Sequence, residues 1–223
     1  MNRITFLGTG TSTGVPYLGC DCPTCASTDP RDKRLRCSAL VQTASANILI
    51  DCSPDFREQM LRLNFRGTLD ALFITHEHYD HVGGIDDLRP FSYTRSLPIY
   101  ADPYAASHLR QRLPYCLVEN KYPGVPQLQL HDLQPYETVM VNDTEVTALQ
   151  VMHGQLPVLG YRVGDMAYIT DMTSVNPRTL ELLSGMIRNC VMMNASASLT
   201  EQEYQAQYTE LSRISGGSDS WDS

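Results

Sequence analysis

His76-Glu77-His78-Tyr79-Asp80-His81 follows Ala71-Leu72-Phe73-Ile74, an apolar run that reads as a buried strand. Three imidazoles and the Asp80 carboxylate therefore fall within one short loop at a strand end. Imidazole nitrogen and carboxylate oxygen are ligands that suit zinc, and also manganese or iron. His76 and His78, two residues apart, can face one ion while Asp80 and His81 turn toward a second. The bland alternative is a solvated loop that happens to be rich in histidine. The whole chain has six His, and three of them stand here, which argues for the metal site.

The rest of the chain sets bounds on that reading. A length of 223 residues with 42% hydrophobic content suits one α/β domain with a substantial core. No apolar run approaches a membrane span, and Met1-Asn2-Arg3 opens almost at once into a strand. A cytoplasmic protein without membrane contact is the expectation. The net charge of −8 lays down no basic footprint for nucleic acid, which is therefore not the favoured partner.

Strands are predicted at Ile4–Leu7, Ala39–Thr43, Asn47–Ile50, Ala71–Thr75, Leu97–Ala101, Thr138–Val141, Glu145–Val151, Val158–Val163 and Ala167–Thr170. Each is a short run of β-branched and aromatic residues between turn formers. Helices are predicted between them. Ser53-Pro54 starts one, with Phe56, Met60, Leu61 and Leu63 as its apolar face. Pro103 opens another through Leu113, and Asn176-Pro177 a third through Leu183. Strands in hairpins mixed with a few helices imply two packed sheets with helices outside. One domain is expected over residues 1–198, followed by a divergent polar tail over 199–223. That tail holds a polar helix over 199–212 and a low-complexity, disordered end from Gly216 to Ser223.

A second constellation is Cys20-Asp21-Cys22-Pro23-Thr24-Cys25, in the loop after the first strand. Three thiolates at this spacing can occupy three corners of a tetrahedral zinc, the alternative being free buried thiols. An odd total of seven Cys fits metal binding and reduced thiols better than a disulfide framework. Cys37, Cys52, Cys116 and Cys190 read as core or incidental residues.

Taken with Phe6-Leu7-Gly8-Thr9-Gly10, Ile50-Asp51, His153 and Asp171, the histidine cluster resembles the metallo-β-lactamase-fold hydrolases, from the first strand to about residue 185. The resemblance implies an α/β fold, a four-layer αββα sandwich. It implies a first metal held by His76, His78 and His153, the last following a strand and preceding Gly154. A second metal would use Asp80 and His81, with Asp171 bridging the two. On their own, His153 reads as a surface residue and Asp171 as a cap before Met172-Thr173. In the relatives the position of Asp51 orients a metal-binding His without ligating. His108 and His131 have no motif context and read as solvated. Two divalent ions lower the pKa of a shared water and clamp the attacked centre, and Asp80 would help to hold that water as the catalytic carboxylate.

The cysteine loop narrows the resemblance to the PhnP-type phosphodiesterases, which act on small cyclic phosphodiesters. It implies Zn2+ in the active site, with Mn2+ or Fe2+ as alternatives, and a structural Zn2+ on Cys20, Cys22 and Cys25. It leaves a homodimer open. Transfer-RNA 3′-processing endonucleases share the first motif and the cluster but generally lack these cysteines. One departure stands out. No histidine follows His153, whereas the relatives place two more in the C-terminal third, where this chain has Asn194-Ala195 and a Ser-rich tail. The C-terminal part of the fold is thus expected to be incomplete, by truncation, by divergence to one metal, or with ligands from a partner chain. Reduced activity, a mono-metal state or a degenerate member with little turnover are the corresponding expectations.

Overall fold

Alternation along the strands sorts the apolar residues into three layers, and the layers dictate the architecture. The structure, a computed structural model, describes residues 2–117, 124–184 and, as a backbone strand, 190–193. In chain order the elements are β1 (Arg3–Gly8), α1 (Pro23–Ala26), β2 (Ser38–Gln42), β3 (Asn47–Ile50), α2 (Phe56–Leu63), β4 (Ala71–Phe73) and α3 (Tyr79–Val82). There follow β5 (Leu97–Ala101), α4 (Pro103–Arg112), α5 (Pro114–Leu117), β6 (Leu128–Asp132), β7 (Thr138–Val141), β8 (Thr144–His153) and β9 (Leu156–Val163). The last are β10 (Met166–Thr170), β11 (Ser174–Val175), α6 (Pro177–Leu183) and β12 (Cys190–Met193).

The first sheet runs β1-β2-β3-β4-β5-β6 and the second runs β11-β8-β9-β10-β12, with β7 also on β8. Leu40, Leu49 and Leu72 point outward, to a core shared with Phe56 and Met60 of α2 and Leu109 of α4. Their neighbours Ala39, Val41, Ile48, Ile50 and Phe73 point inward and meet Val146, Ala148, Leu159, Tyr161 and Tyr168 of the second sheet. The far face of that sheet, with Leu149, Val151, Val158 and Ile169, packs on Leu183 of α6. Helix, sheet, sheet and helix make the four-layer αββα sandwich that the sequence implied.

Strand direction decides where a site can form. β3, β4, β5 and β6 run parallel, so the chain leaves β3, β4 and β5 at one edge of the first sheet. Open α/β sheets bind their ligands at such carboxyl ends. The two sheets are tied together at the same edge. Tyr161 Oη donates to the Ile74 carbonyl at 2.5 Å, and the Leu159 amide donates to the Thr75 carbonyl at 2.9 Å. The Phe73 ring stacks on Tyr100 at 4.8 Å and meets Tyr161 edge-on at 5.0 Å.

Several predicted bounds shift for physical reasons. β4 stops at Phe73 instead of Thr75 because the next two carbonyls turn to the second sheet. α2 begins at Phe56, and Ser53 caps the preceding turn through its hydroxyl, which accepts the Asp55 amide. Asp55 does not cap because Arg36 holds its carboxylate, with the guanidinium at 2.6 and 2.9 Å. Leu61 is exposed and does not belong to the apolar face of that helix. β6 and β11 were not foreseen. β6 reads Leu-Gln-Leu-His-Asp, a mostly exposed edge strand without β-branched residues, and β11 is two residues long. The tail expected over 199–223 lies outside the described residues.

Tyr161→Phe tests the tie between the sheets. It removes one hydroxyl and leaves the buried Ile74 carbonyl unpaired, so unfolding in urea should lose about 1–3 kcal/mol with an unchanged slope.

Candidate metal centre

Four strand ends deliver the side chains. Asp51 follows β3, the stretch from Thr75 to His81 follows β4, His153 closes β8, and Asp171 follows β10. Both aspartates adopt left-handed backbone, with φ of +57° at Asp51 and +53° at Asp171. Aspartate tolerates this region better than most residues, and the sharp bend lets a carboxylate turn in where a strand would continue away. His153 precedes a two-residue hairpin turn with Gly154 at φ +61°, which a β-carbon would disfavour.

At the base of the centre lies a buried network. Asp51 is fully buried and accepts three bonds: from the Thr75 amide at 2.8 Å, from the Thr75 hydroxyl at 2.9 Å, and from His81 Nδ1 at 2.7 Å. The Thr75 hydroxyl also lies 3.0 Å from His76 Nδ1. Ser38 donates to the Asp51 carbonyl at 2.8 Å. Burial pushes the Asp51 carboxyl up. Burial works against charge on His81 as well, yet the carboxylates of Asp51, Asp171 and Asp80 outweigh it and lift the imidazole well above its ordinary value. The 2.7 Å contact places a proton between Asp51 and Nδ1 of a neutral, metal-binding His81. That tautomer leaves the Nε2 lone pair of His81 facing the centre.

What Nε2 faces is the test of the metal reading. It is buried, has no hydrogen-bond partner, and lies 3.3 Å from Asp80 Oδ2 and 3.3 Å from Asp171 Oδ2. A lone pair directed at two anionic oxygens is unfavourable unless a cation or a proton lies among them. Asp171 Oδ2 also lies 3.6 Å from His76 Nε2 and 4.0 Å from His153 Nε2. His76 Nε2 and His78 Nδ1 are 2.9 Å apart. Two sets of ligand atoms result, each within 4.8 Å: His76, His78, His153 and Asp171, and Asp80, His81 and Asp171. Asp171 belongs to both. The donors are nitrogen and oxygen, which fits a divalent cation in each set. The structure thus brings together the residues that the sequence grouped, with Asp171 common to both sets.

The remaining candidates separate cleanly. Cys20, Cys22 and Cys25 also bring their sulfurs within 4.8 Å of one another, and all three are free thiols. Cys37, Cys52 and Cys116 are buried, as expected of core residues. His108 sits on α4 beside Tyr104 and His131 on β6 against Tyr100, both away from the cluster. Cys190 and Asn194-Ala195 fall outside the side chains the structure describes. Thr75 and Ser38 were missed, because a hydroxyl beside a histidine motif carries no signal until its partners are known.

Candidate ligand sets that share a carboxylate, placed at one end of an αββα sandwich, are the arrangement of the metallo-β-lactamase fold. Residues 46–211 match the model of the Beta-lactamase superfamily domain. The crystal structure of a diphosphatase from the PhnP family aligns with a TM-score of 0.75 at 37% identity, over 84% of this chain and 72% of that one. The octanoyltransferase of Porphyromonas gingivalis is 44% identical over 210 residues, covering 93% of this chain and 41% of that protein. Ribonuclease Z of Thermosynechococcus vestitus is 31% identical over 173 residues, covering 72% of this chain and 36% of that protein. The chain spans less than half the length of these two relatives. It belongs to the metallo-β-lactamase superfamily, among its PhnP-like hydrolases.

Metal release on acidification should be ordered. A proton and a cation compete for His81 Nε2, and the raised pKa gives the proton an advantage from above the ordinary histidine range. His76 is held neutral instead, burial and the neighbouring His81 pushing it down to about 2. Lowering the pH should therefore displace a cation from His81 before His76 takes up a proton. Metal analysis after dialysis across the acid range reads this directly as two steps, and His81→Ala should remove the first.

Proposed function

We propose that this chain is a metal-dependent phosphodiesterase that uses water to cleave a small cyclic or nucleotide-like phosphodiester. The position of Asp171, common to both ligand sets, is the observation that carries the reading. Divalent cations held there would supply Lewis acidity, a water of lowered pKa, and a clamp on the oxygens of an in-line displacement. Zinc is the proposed metal, with manganese or iron as alternatives. His76, His78, His81 and His153 would act as neutral ligands, and Asp80 and Asp171 as charged ones. Asp80 is well suited to holding the attacking water. Burial works against its charge, but the His81 imidazole 3.3 Å away outweighs this and lowers its pKa, so it remains an acceptor at neutral pH. The names of two relatives, a diphosphatase and a ribonuclease, point to attack at phosphorus and support the substrate class.

A ribonuclease-like role is the second reading, supported by the likeness to ribonuclease Z. The net charge of −8 weighs against it, because nucleic acids are held largely through cationic contacts to phosphate. Strong, salt-dependent binding of transfer RNA would favour it.

The decisive assay is hydrolysis of bis(p-nitrophenyl) phosphate and a 2′,3′-cyclic nucleotide by metal-loaded protein. His76→Ala should lower both rates by about 100-fold or more, beyond the loss typical of a supporting residue. Equal rates in parent and variant would end the proposal.

The cysteine loop is proposed as a separate, structural zinc site on Cys20, Cys22 and Cys25. Cys22→Ser should lower the zinc content by about one equivalent per chain while hydrolysis persists. Unchanged zinc content would count against this assignment.

A further inference from the structure

β5 leaves the first sheet one strand beyond the metal centre and at the same edge. Pro103 and Tyr104 follow it and form one wall of a groove of about 500 Å³. Pro135, Gln150, Leu156, Pro157, Val158 and Leu159 complete its lining. The volume suits a small-molecule site, and such sites are typically apolar clefts with few polar groups. The groove opens to solvent, with Tyr104 53% exposed. Asp102, in its lining, turns Oδ1 to the Tyr104 and Ala105 amides at 2.7 and 3.1 Å and caps α4.

Two contacts join this groove to the metal centre. Leu156 is the cross-strand partner of His153 in the β8–β9 hairpin. Leu159, also in the lining, donates its amide to the Thr75 carbonyl, one residue before His76. The groove and the centre therefore share neighbouring strand ends.

From these contacts we infer that the groove is the subsite for a planar aromatic arm of the substrate, an aryl ester or a nucleobase, whose phosphate lies on the metal centre. The inference rests on the phosphodiesterase reading and deepens it. The proline rings and the Tyr104 ring offer flat apolar faces, which pack on a planar group with little loss of freedom. The single charged side chain in its lining, Asp102, disfavours an anionic arm.

Non-hydrolysable phosphonates separate binding from turnover. The measurement is the dissociation constant of methylphosphonate, hexylphosphonate and phenylphosphonate for the metal-loaded chain, by calorimetry. Phenylphosphonate should bind about tenfold or more tightly than methylphosphonate, as expected for burying a ring. Hexylphosphonate should fall between them. Tyr104→Ala and Leu156→Ala should each erase most of the phenyl advantage and leave methylphosphonate unchanged, which also shows that both variants fold with the centre intact. Equal binding of phenyl and methyl compounds overturns the inference, as does a preference that survives both substitutions. Hexylphosphonate matching phenylphosphonate overturns the aromatic assignment. If none of the three binds, the metal reading falls and the groove with it. Hydrolysis of bis(p-nitrophenyl) phosphate without a phenyl preference sinks the groove alone.

Discussion

The Asp51 carboxylate, wholly removed from solvent, is the constraint around which this molecule is arranged. Leaving a buried carboxylate without partners would be very costly, so every group around it is a donor. Thr75 supplies an amide and a hydroxyl, and His81 supplies Nδ1. Those bonds determine more than charge balance. They orient the His81 ring, select its tautomer, and place the Thr75 hydroxyl beside His76. One residue that ligates nothing thus sets two ring orientations in the centre. Such supporting partners commonly govern metal affinity as strongly as geometry in the ligands themselves.

The same economy appears in how the sheets meet. The second sheet does more than cover apolar side chains. It hydrogen-bonds to the carbonyls of Ile74 and Thr75, immediately before the histidine run. Ligands from the first sheet are therefore held in register with His153 and Asp171 of the second by polar contacts within an otherwise apolar interface. A centre assembled from both sheets needs that register, because a displacement of about an ångström would separate Asp171 from one of its two sets. The shortened β4 is the structural trace of this arrangement.

The centre is also asymmetric. His76, His78 and His153 contribute three imidazoles to one side, whereas the other side has Asp80, His81 and the shared Asp171. The first is rich in neutral nitrogen, the second in negative oxygen. The carboxylates that make the second set attractive to a cation also make His81 attractive to a proton. Any further ligand on that side would have to come from beyond the described residues.

Much of this was legible in order and spacing. The histidine run after a buried strand named four candidate ligands, and the alternation of apolar residues named most strands and their two faces. Such patterns are local, and local spacing suffices when a motif lies within one loop. His153 and Asp171 lay on the border, since a single His or Asp after a strand signals nothing without the cluster. The tertiary structure alone decided the rest. Parallel pairing of β3, β4 and β5 brought Asp51 under Thr75 and His81, and the hairpin joined His153 to the groove wall. Hydroxyl partners, a carboxylate shared between two ligand sets and a cleft between two strand ends are relations across long stretches of chain. They arise from packing and register, which no short window of sequence contains.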